Sequence, residues 1–496
     1  MKRTWQTWQR SLAATLVLAA AATGCSHEAS KKAAEEKKCG SAAATHTPST
    51  SDDTASGTIP KANPDSEKWG RSADDPCVYV GPGGYRLDLK KCPQTWDNNA
   101  GITSKSIRLF TSMPHSGSLA AYGAIGDGIK SYLDYVNKHG GIQGRKVTID
   151  IKDDQYQPDR TRSNAKAAVQ TGKYAASFAM LGSPNNLNLR DFMNQNCMNH
   201  LLIAASDNDF GDPQHYPWTN GFGLDYYNES AIWASWLHKK FPHGARIATI
   251  AIGNALGNSY VDGFKRAVKS IPGLKIVNSQ TNDVTAPNVD NEVTSAAASK
   301  ADAVVLVEAG TFCTQAIGAI EKSSWNPVVV AAQPCAQIQT TFAPLKKQGL
   351  TGNNTNVVRY YYAPTDPDNP NEQFAKLYTR TVRAAGLDPA NAQIANGWFW
   401  GWYIVQVLKD ASIMKGGLNR ANIAVAGHSF TSTYPLMIRG VEGRVSGVKD
   451  AYSFETGRMY TYTGATKSAT GHFKPSGPLI DNSGKLGNWQ KAKQGN

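Results

Sequence analysis

From Ile107 onward, apolar residues recur at two spacings in turn. Ile107 to Phe110 reads as a short strand. After a loop, Met113-Pro114-His115-Ser116-Gly117-Ser118, the residues Leu119, Tyr122, Ile125, Ile129, Leu133 and Val136 follow three and four apart. That spacing lays one apolar stripe along a helix and turns it toward a sheet. The helix is expected to stop at Gly140-Gly141. Val147 to Ile151 then alternates as a strand does and runs into Asp153-Asp154, a helix starts near Asp159, and Ala175 to Leu181 reads as the next strand. This strand and helix alternation predicts a parallel sheet.

The rhythm continues through a helix at Leu187 to Asn196, a strand at Leu201 to Ala205, a helix at Tyr227 to Phe241, a strand at Arg246 to Ile252 and a helix at Ser259 to Ser270. Further strands are expected at Leu274 to Asn278, Ala303 to Glu308, Pro327 to Ala332 and Asn356 to Tyr362. So many mostly parallel strands fit two Rossmann-like sheets better than one, and the fold class is α/β. Ligands in such sheets bind beyond the carboxyl ends of the strands, which directs attention to the residues just after each one. Trp398, Phe399, Trp400 and Trp402 fall in one helix, and consecutive positions point all round it, so most belong to the core.

The ends of the chain read differently. Residues 1–24 have a basic start at Lys2, Arg3 and Arg10 and an apolar stretch too short to span a bilayer, which is the pattern of a secretion signal. Ala22-Thr23-Gly24-Cys25 resembles a bacterial lipobox, with Ala22 where such boxes usually carry Leu, and makes Cys25 the expected lipidation site. Two acyl chains suffice for a stable anchor. Residues 25–66 are Ala, Ser, Thr, Lys, Glu and Pro with almost no large apolar side chain, and read as a flexible tether. Residues 67–103 are expected to form a small hairpin, stapled by a Cys77 to Cys92 disulfide around the turn Gly81-Pro82-Gly83-Gly84.

The net charge of +13 is scattered along the chain, with no basic stripe of the kind nucleic acid requires. Seven cysteines in an exported chain suggest disulfides, and none has the spacing a structural zinc site favours. Cys313 and Cys335 end adjacent strand and helix units, so a bridge between them is easy if their strands are neighbours; Cys39 and Cys197 stay unassigned. Gly427-His428-Ser429-Phe430 lacks the second glycine of a nucleophile elbow, and no phosphate-binding loop or zincin motif occurs, so an enzyme is not expected.

The stretch Asn137-Lys138-His139-Gly140-Gly141-Ile142-Gln143-Gly144-Arg145-Lys146, followed by a strand and Asp153-Asp154, resembles the leucine/isoleucine/valine-binding family of ABC importer solute receptors. Gly223-Leu224-Asp225 and Leu256-Gly257 agree, and the likeness runs from about Ser104 to Met459. It implies the type I periplasmic-binding fold, in which two lobes joined by three crossings close on a ligand. Lobe one would take residues 104–224 and 357–445, and lobe two 225–356 with a tail over 446–496. It further implies a monomer with no cofactor, lipid-anchored on the outer face of the cytoplasmic membrane and delivering its ligand to permease subunits. A sensor reporting the same ligand to a signalling partner is the alternative.

The same likeness supplies candidate ligand contacts. On lobe one these are Ser116 at the first strand end, Ser183 and Asn185 at a helix N-terminus suited to a carboxylate, and Ala205 with Ser206. On lobe two they are Asp225, Leu256, Phe312 and Gln333. Family members that bind amino acids commonly have a carboxylate where Gln333 stands, so this chain is expected to bind a small polar or aromatic acid or amide, its anionic end on lobe one, rather than leucine, isoleucine or valine.

Overall fold

A computed structural model describes residues 38–39, 57–117 and 119–494. The expected signal segment, the lipidation site Cys25 and most of the tether lie outside these residues. Three short antiparallel strands come first, β1 (Gly70–Arg71), β2 (Val78–Val80) and β3 (Arg86–Asp88). The Gly81 to Gly84 turn joins β2 to β3, and Gly83 and Gly84 take φ of 59° and 84°, a region that glycine enters without penalty.

The hairpin is present but its expected staple is not. Cys77 is bonded to Cys39 and Cys92 to Cys197. The register explains why: Val78 pairs with Asp88, so Cys77 faces Leu89, and a single 3-10 turn over Leu89–Lys91 carries Cys92 out of reach. Nor do residues 57–66 behave as a tether. Ile59 is buried, Asn63 N–H donates to Asp410 Oδ1 (2.6 Å), and Gln406 Nε2 donates to the Lys61 carbonyl (2.9 Å).

The first large sheet holds β4 (Ser106–Met113), β5 (Lys146–Asp153), β6 (Ala176–Phe178), β7 (His200–Ile203) and β8 (Thr219–Gly221), all parallel, in the order β5-β4-β6-β7-β8. The second repeats that order with β9 (Ala245–Ile252), β10 (Leu274–Asn282), β11 (Ala303–Val307), β12 (Val328–Ala331) and β13 (Thr355–Arg359). A small pair, β14 (Thr431–Ser432) and β15 (Gly443–Arg444), precedes an antiparallel hairpin of β16 (Thr456–Thr463) and β17 (His472–Asp481) that extends the second sheet beyond β13. Each sheet is doubly wound, which leaves a crevice at the carboxyl ends of its strands where the order reverses.

The chain crosses between the sheets near Leu224, again at Tyr360 to Tyr362, and finally at Phe454, which bridges to Leu224. Two expected boundaries shift. Val357 to Arg359 belong to β13 in the second sheet, because the apolar run there straddles the crossing. Residues 446–453 remain with the first lobe, where Val445 N–H donates to the Phe430 carbonyl and Gly447 N–H to the His428 carbonyl.

Helix Ala392–Ile413 is buried along nearly its whole length. Trp398, Phe399, Trp400 and Trp402 are all buried, as expected of a core helix. It lies so close to helix Ala124–Lys138 that a Cβ on Gly397 would sit 2.3 Å from the Ile125 carbonyl oxygen. Cys313 and Cys335 are bonded with Cα atoms 5.3 Å apart, since β11 and β12 are indeed neighbours and each cysteine follows its strand. Among the described residues no helix is long and apolar enough to cross a membrane.

Candidate functional site

Where the carboxyl ends of the two sheets face each other, a cleft holds about 790 Å³ of non-protein space, counted to its open mouth. Its walls are mainly aromatic and aliphatic. Tyr122, Ile125, Tyr156 and Trp400 come from the first lobe, Tyr226, Leu256 and Tyr260 from the second, and Tyr360 from the middle crossing. Polar groups are few and uncharged: Ser206 on one side, Gln333 and Gln337 on the other, and Gln393 with Asn396 from the core helix. An apolar-walled cleft with a few placed polar groups suits a small organic ligand.

The local sequence explains how these side chains are held. Asp154 of the acidic pair is fully buried and accepts from Ser112 Oγ (2.8 Å), Thr161 Oγ1 (2.9 Å) and the Tyr156 N–H (2.9 Å). It therefore fixes the backbone that aims Tyr156 into the cleft. The Tyr156 ring packs on Gly182, where a Cβ would lie 2.4 Å from it, so the φ of 95° at Gly182 and the ring position depend on each other. Opposite, Tyr226 and Tyr260 stack with centroids 4.0 Å apart. Tyr260 donates to Glu229 Oε2 (2.6 Å), and Glu229 Oε1 accepts from the Gln333 N–H (2.9 Å), so one buried carboxyl positions two wall residues. Burial pushes that carboxyl up to about 8.

The lobes touch at the rim. Ser259 Oγ donates to Asp207 Oδ1 (3.2 Å), Tyr122 Oη donates to the Pro334 carbonyl (3.4 Å), and Gly310 N–H points at Tyr122 Oη (3.5 Å). The clamp is shut. Enclosure pushes the Asp207 carboxyl up to about 6.

Of the expected contacts, Ala205, Ser206, Leu256 and Gln333 meet on this wall. The others do not. Ser116 donates to Asp153 Oδ2 (2.5 Å) away from the cleft, and Asp153 is held down at about 2 chiefly by that bond. Ser183 sits behind Gly182, facing the Asp207 carboxyl and the Tyr226 hydroxyl. Asn185 is fully buried off the wall, its carboxamide without a partner among the described residues. Asp225 caps helix Tyr226–Lys240, accepting from Tyr227 and Asn228 N–H at 3.0 Å each, and burial pushes its carboxyl well above the usual range. Phe312 is buried in its helix, and Ala309 takes the wall position instead. The aromatic wall itself was the missed feature. Its signal was a tyrosine within a few residues of a strand end or crossing, as at Tyr156, Tyr226 and Tyr360.

Residues 109–447 match a family described as periplasmic binding protein. Among solved structures, the chain is similar to a fatty acid ABC transporter substrate-binding protein from Thermomonospora curvata, at 18% identity and a TM-score of 0.65, over 79% of this chain and 96% of that one. It is similar to a branched chain amino acid ABC transporter from Thermus thermophilus with bound valine, at 15% and 0.67, over 79% and 100%. A solute binding protein of an ABC transporter from R. palustris in complex with benzoate gives 15% and 0.61, over 76% and 98%. At these identities the likeness carries the fold. Among curated proteins, none matches the chain.

Proposed function

Because the chain belongs to the periplasmic binding protein family and has its type I fold, we propose that it is the extracytoplasmic solute receptor of an ABC importer. In this reading it is anchored by acylated Cys25 on the outer face of the cytoplasmic membrane, works as a monomer, and hands its ligand to permease subunits. Capture is by clamp closure, a population shift driven by contacts that both lobes make only when shut.

The ligand we propose is a small organic acid or amide with a substantial apolar or aromatic body. The observation that carries this is the wall of the cleft, seven aromatic side chains with no charged one among the lining residues. A free ammonium would find no ionised partner there, since Gln333 is neutral and Asp225 is turned into a helix cap. The polar end belongs on the first lobe, against Gly182 and the Ser206 hydroxyl, which now donates to the Phe222 carbonyl (2.9 Å). Fatty acid, valine and benzoate, the molecules named for the three relatives, share a carboxyl group and differ in the body attached to it, which fits a cleft whose apolar wall sets the preference.

Calorimetry of the mature chain against benzoate, butanoic acid, valine and the corresponding amides tests this. Binding of at least one aromatic or aliphatic member, lost in Leu256→Trp and unaffected in Phe312→Leu, is the expected result. No binding by any of them, or binding untouched by Leu256→Trp, would overturn it.

A further inference from the structure

Beyond Gln333, Gln337, Tyr360 and Asn396, which face both spaces, the cleft adjoins a second chamber toward the middle crossing and the edge hairpin. The second chamber differs in chemistry. Its wall carries the ion pair of Arg359 and Asp366, with side chains only 13% and 11% exposed, and the Arg359 guanidinium lies 5.3 Å from the centroid of the Phe473 ring. Asp366 also accepts from the Ala363 N–H (2.6 Å), so the acid is fixed from two sides. The partition is soft, because no hydrogen bond joins the Gln333 or Gln337 carboxamide to another described residue.

We infer that the site takes an elongated ligand whose apolar body lies in the main cleft and whose far end, polar but uncharged, enters the chamber at Arg359 and Asp366. This rests on the solute-receptor reading and deepens it by naming the ligand's second end. An anionic end on the spare Arg359 N–H groups would lie beside the Asp366 carboxylate, and a cationic end at Asp366 would lie beside the guanidinium. Either sets like charges side by side at a largely buried pair or displaces one of its members, which is costly. A hydroxyl or carboxamide can donate and accept at once, satisfying the carboxamides and the spare guanidinium N–H groups without breaking the pair. A plain methyl end strands those polar groups without water.

The test is calorimetry of the mature chain with octanoic, ω-hydroxyoctanoic, octanedioic and ω-aminooctanoic acids, which share one carboxylate end and differ at the other. The wild type should bind the hydroxy acid at least about tenfold more tightly than the other three. Asp366→Asn, which frees Arg359, should move the preference to octanedioic acid, an outcome that a merely structural role for the pair does not produce. Ala363→Trp should fill the chamber and abolish the preference for the hydroxy acid, while benzoate or butanoic acid, whichever the wild type binds, keeps its affinity and reports an intact fold. Equal binding of all four acids, or octanedioic acid tightest in the wild type, overturns the inference and leaves the receptor reading standing. Failure of the short and the long acids alike overturns both.

Discussion

Ser259 on the second lobe donates its hydroxyl hydrogen to Asp207 on the first across 3.2 Å, so a buried carboxyl of one lobe is tied to the other. Burial raises Asp207 from 3.8 to about 6, against the pull of the Ser259 bond, which favours the charged form. An acid raised in this way stabilises the folded chain while protonated: the contribution is complete below about pH 4 and is lost as pH rises through about 6. Where closure on a ligand changes the surroundings of this carboxyl, binding near pH 6 should exchange a proton, seen as a binding enthalpy that changes with the ionisation heat of the buffer. Asp207→Asn should remove that dependence, and its persistence in the variant would exclude Asp207 as the source.

Two other carboxyls, Glu229 and Glu308, are fully buried in the second lobe and pushed up to about 8 by desolvation. Their contribution to stability is present below their ordinary value of about 4.5 and is lost as pH rises through 8. His200 and His428 oppose them at the acid end, since burial lowers them to about 3 and about 4. Their neutral forms support the fold above about pH 6.5, and that support is lost as pH falls. Thermal unfolding should show a maximum between about pH 4.5 and 6.5 with a fall on either side. Glu229→Gln should flatten the alkaline limb and cost little at neutral pH, while an unchanged limb would assign the fall to other groups.

The sheets were legible in the sequence because period-two and period-3.6 patterns alternate there with little interruption. What escaped was set by contacts remote along the chain. Cys92 reaches Cys197 across 105 positions, a partnership no local spacing announces. Val357 and Val358 are followed after Arg359 by the aromatic run of the crossing, so the pattern does not say where the sheet ends. Asp225 lies beside the cleft-lining Leu224 and Tyr226, yet its side chain turns back to cap its own helix, a competition between local and ligand hydrogen bonding that sequence leaves open. Gln333 was found because it follows a strand directly, and Tyr260 was not because it lies one helical turn further on.

Two of the disulfides, which close loops of very different length, should differ in weight. In the chain-entropy view the stabilisation grows with the loop closed, about 3 kcal/mol for a loop of some fifteen residues and about 4.7 for one near a hundred. Cys313 and Cys335 are 22 positions apart, Cys92 and Cys197 are 105. Paired alanine replacement of Cys92 and Cys197 should therefore lower the denaturation midpoint more than replacement of Cys313 and Cys335, and also loosen the packing of residues 57–103 on the first lobe. Equal losses in urea titrations would show that reduced-state structure outweighs loop length.

Gly397 and Gly128 let helices Ala392–Ile413 and Ala124–Lys138 meet backbone to backbone. A Cβ on Gly128 would stand 2.3 Å from the Ile394 carbonyl oxygen, and one on Gly397 2.5 Å from the Gly128 Cα. The obstacles are backbone atoms, which cannot rotate aside, so the helices must separate to admit a methyl group. The separation would act at both ends of the first lobe's wall, because Ile125 lies on one helix and Trp400 and Asn396 on the other. Gly397→Ala should cost roughly 1–3 kcal/mol in unfolding free energy, the usual range for overpacking. It should also weaken ligand binding several-fold while leaving the Cys313 to Cys335 disulfide in the second lobe intact. A Gly397→Ala chain with wild-type stability and affinity would mean that the helices part at no cost, and that their close approach does not hold the wall in place.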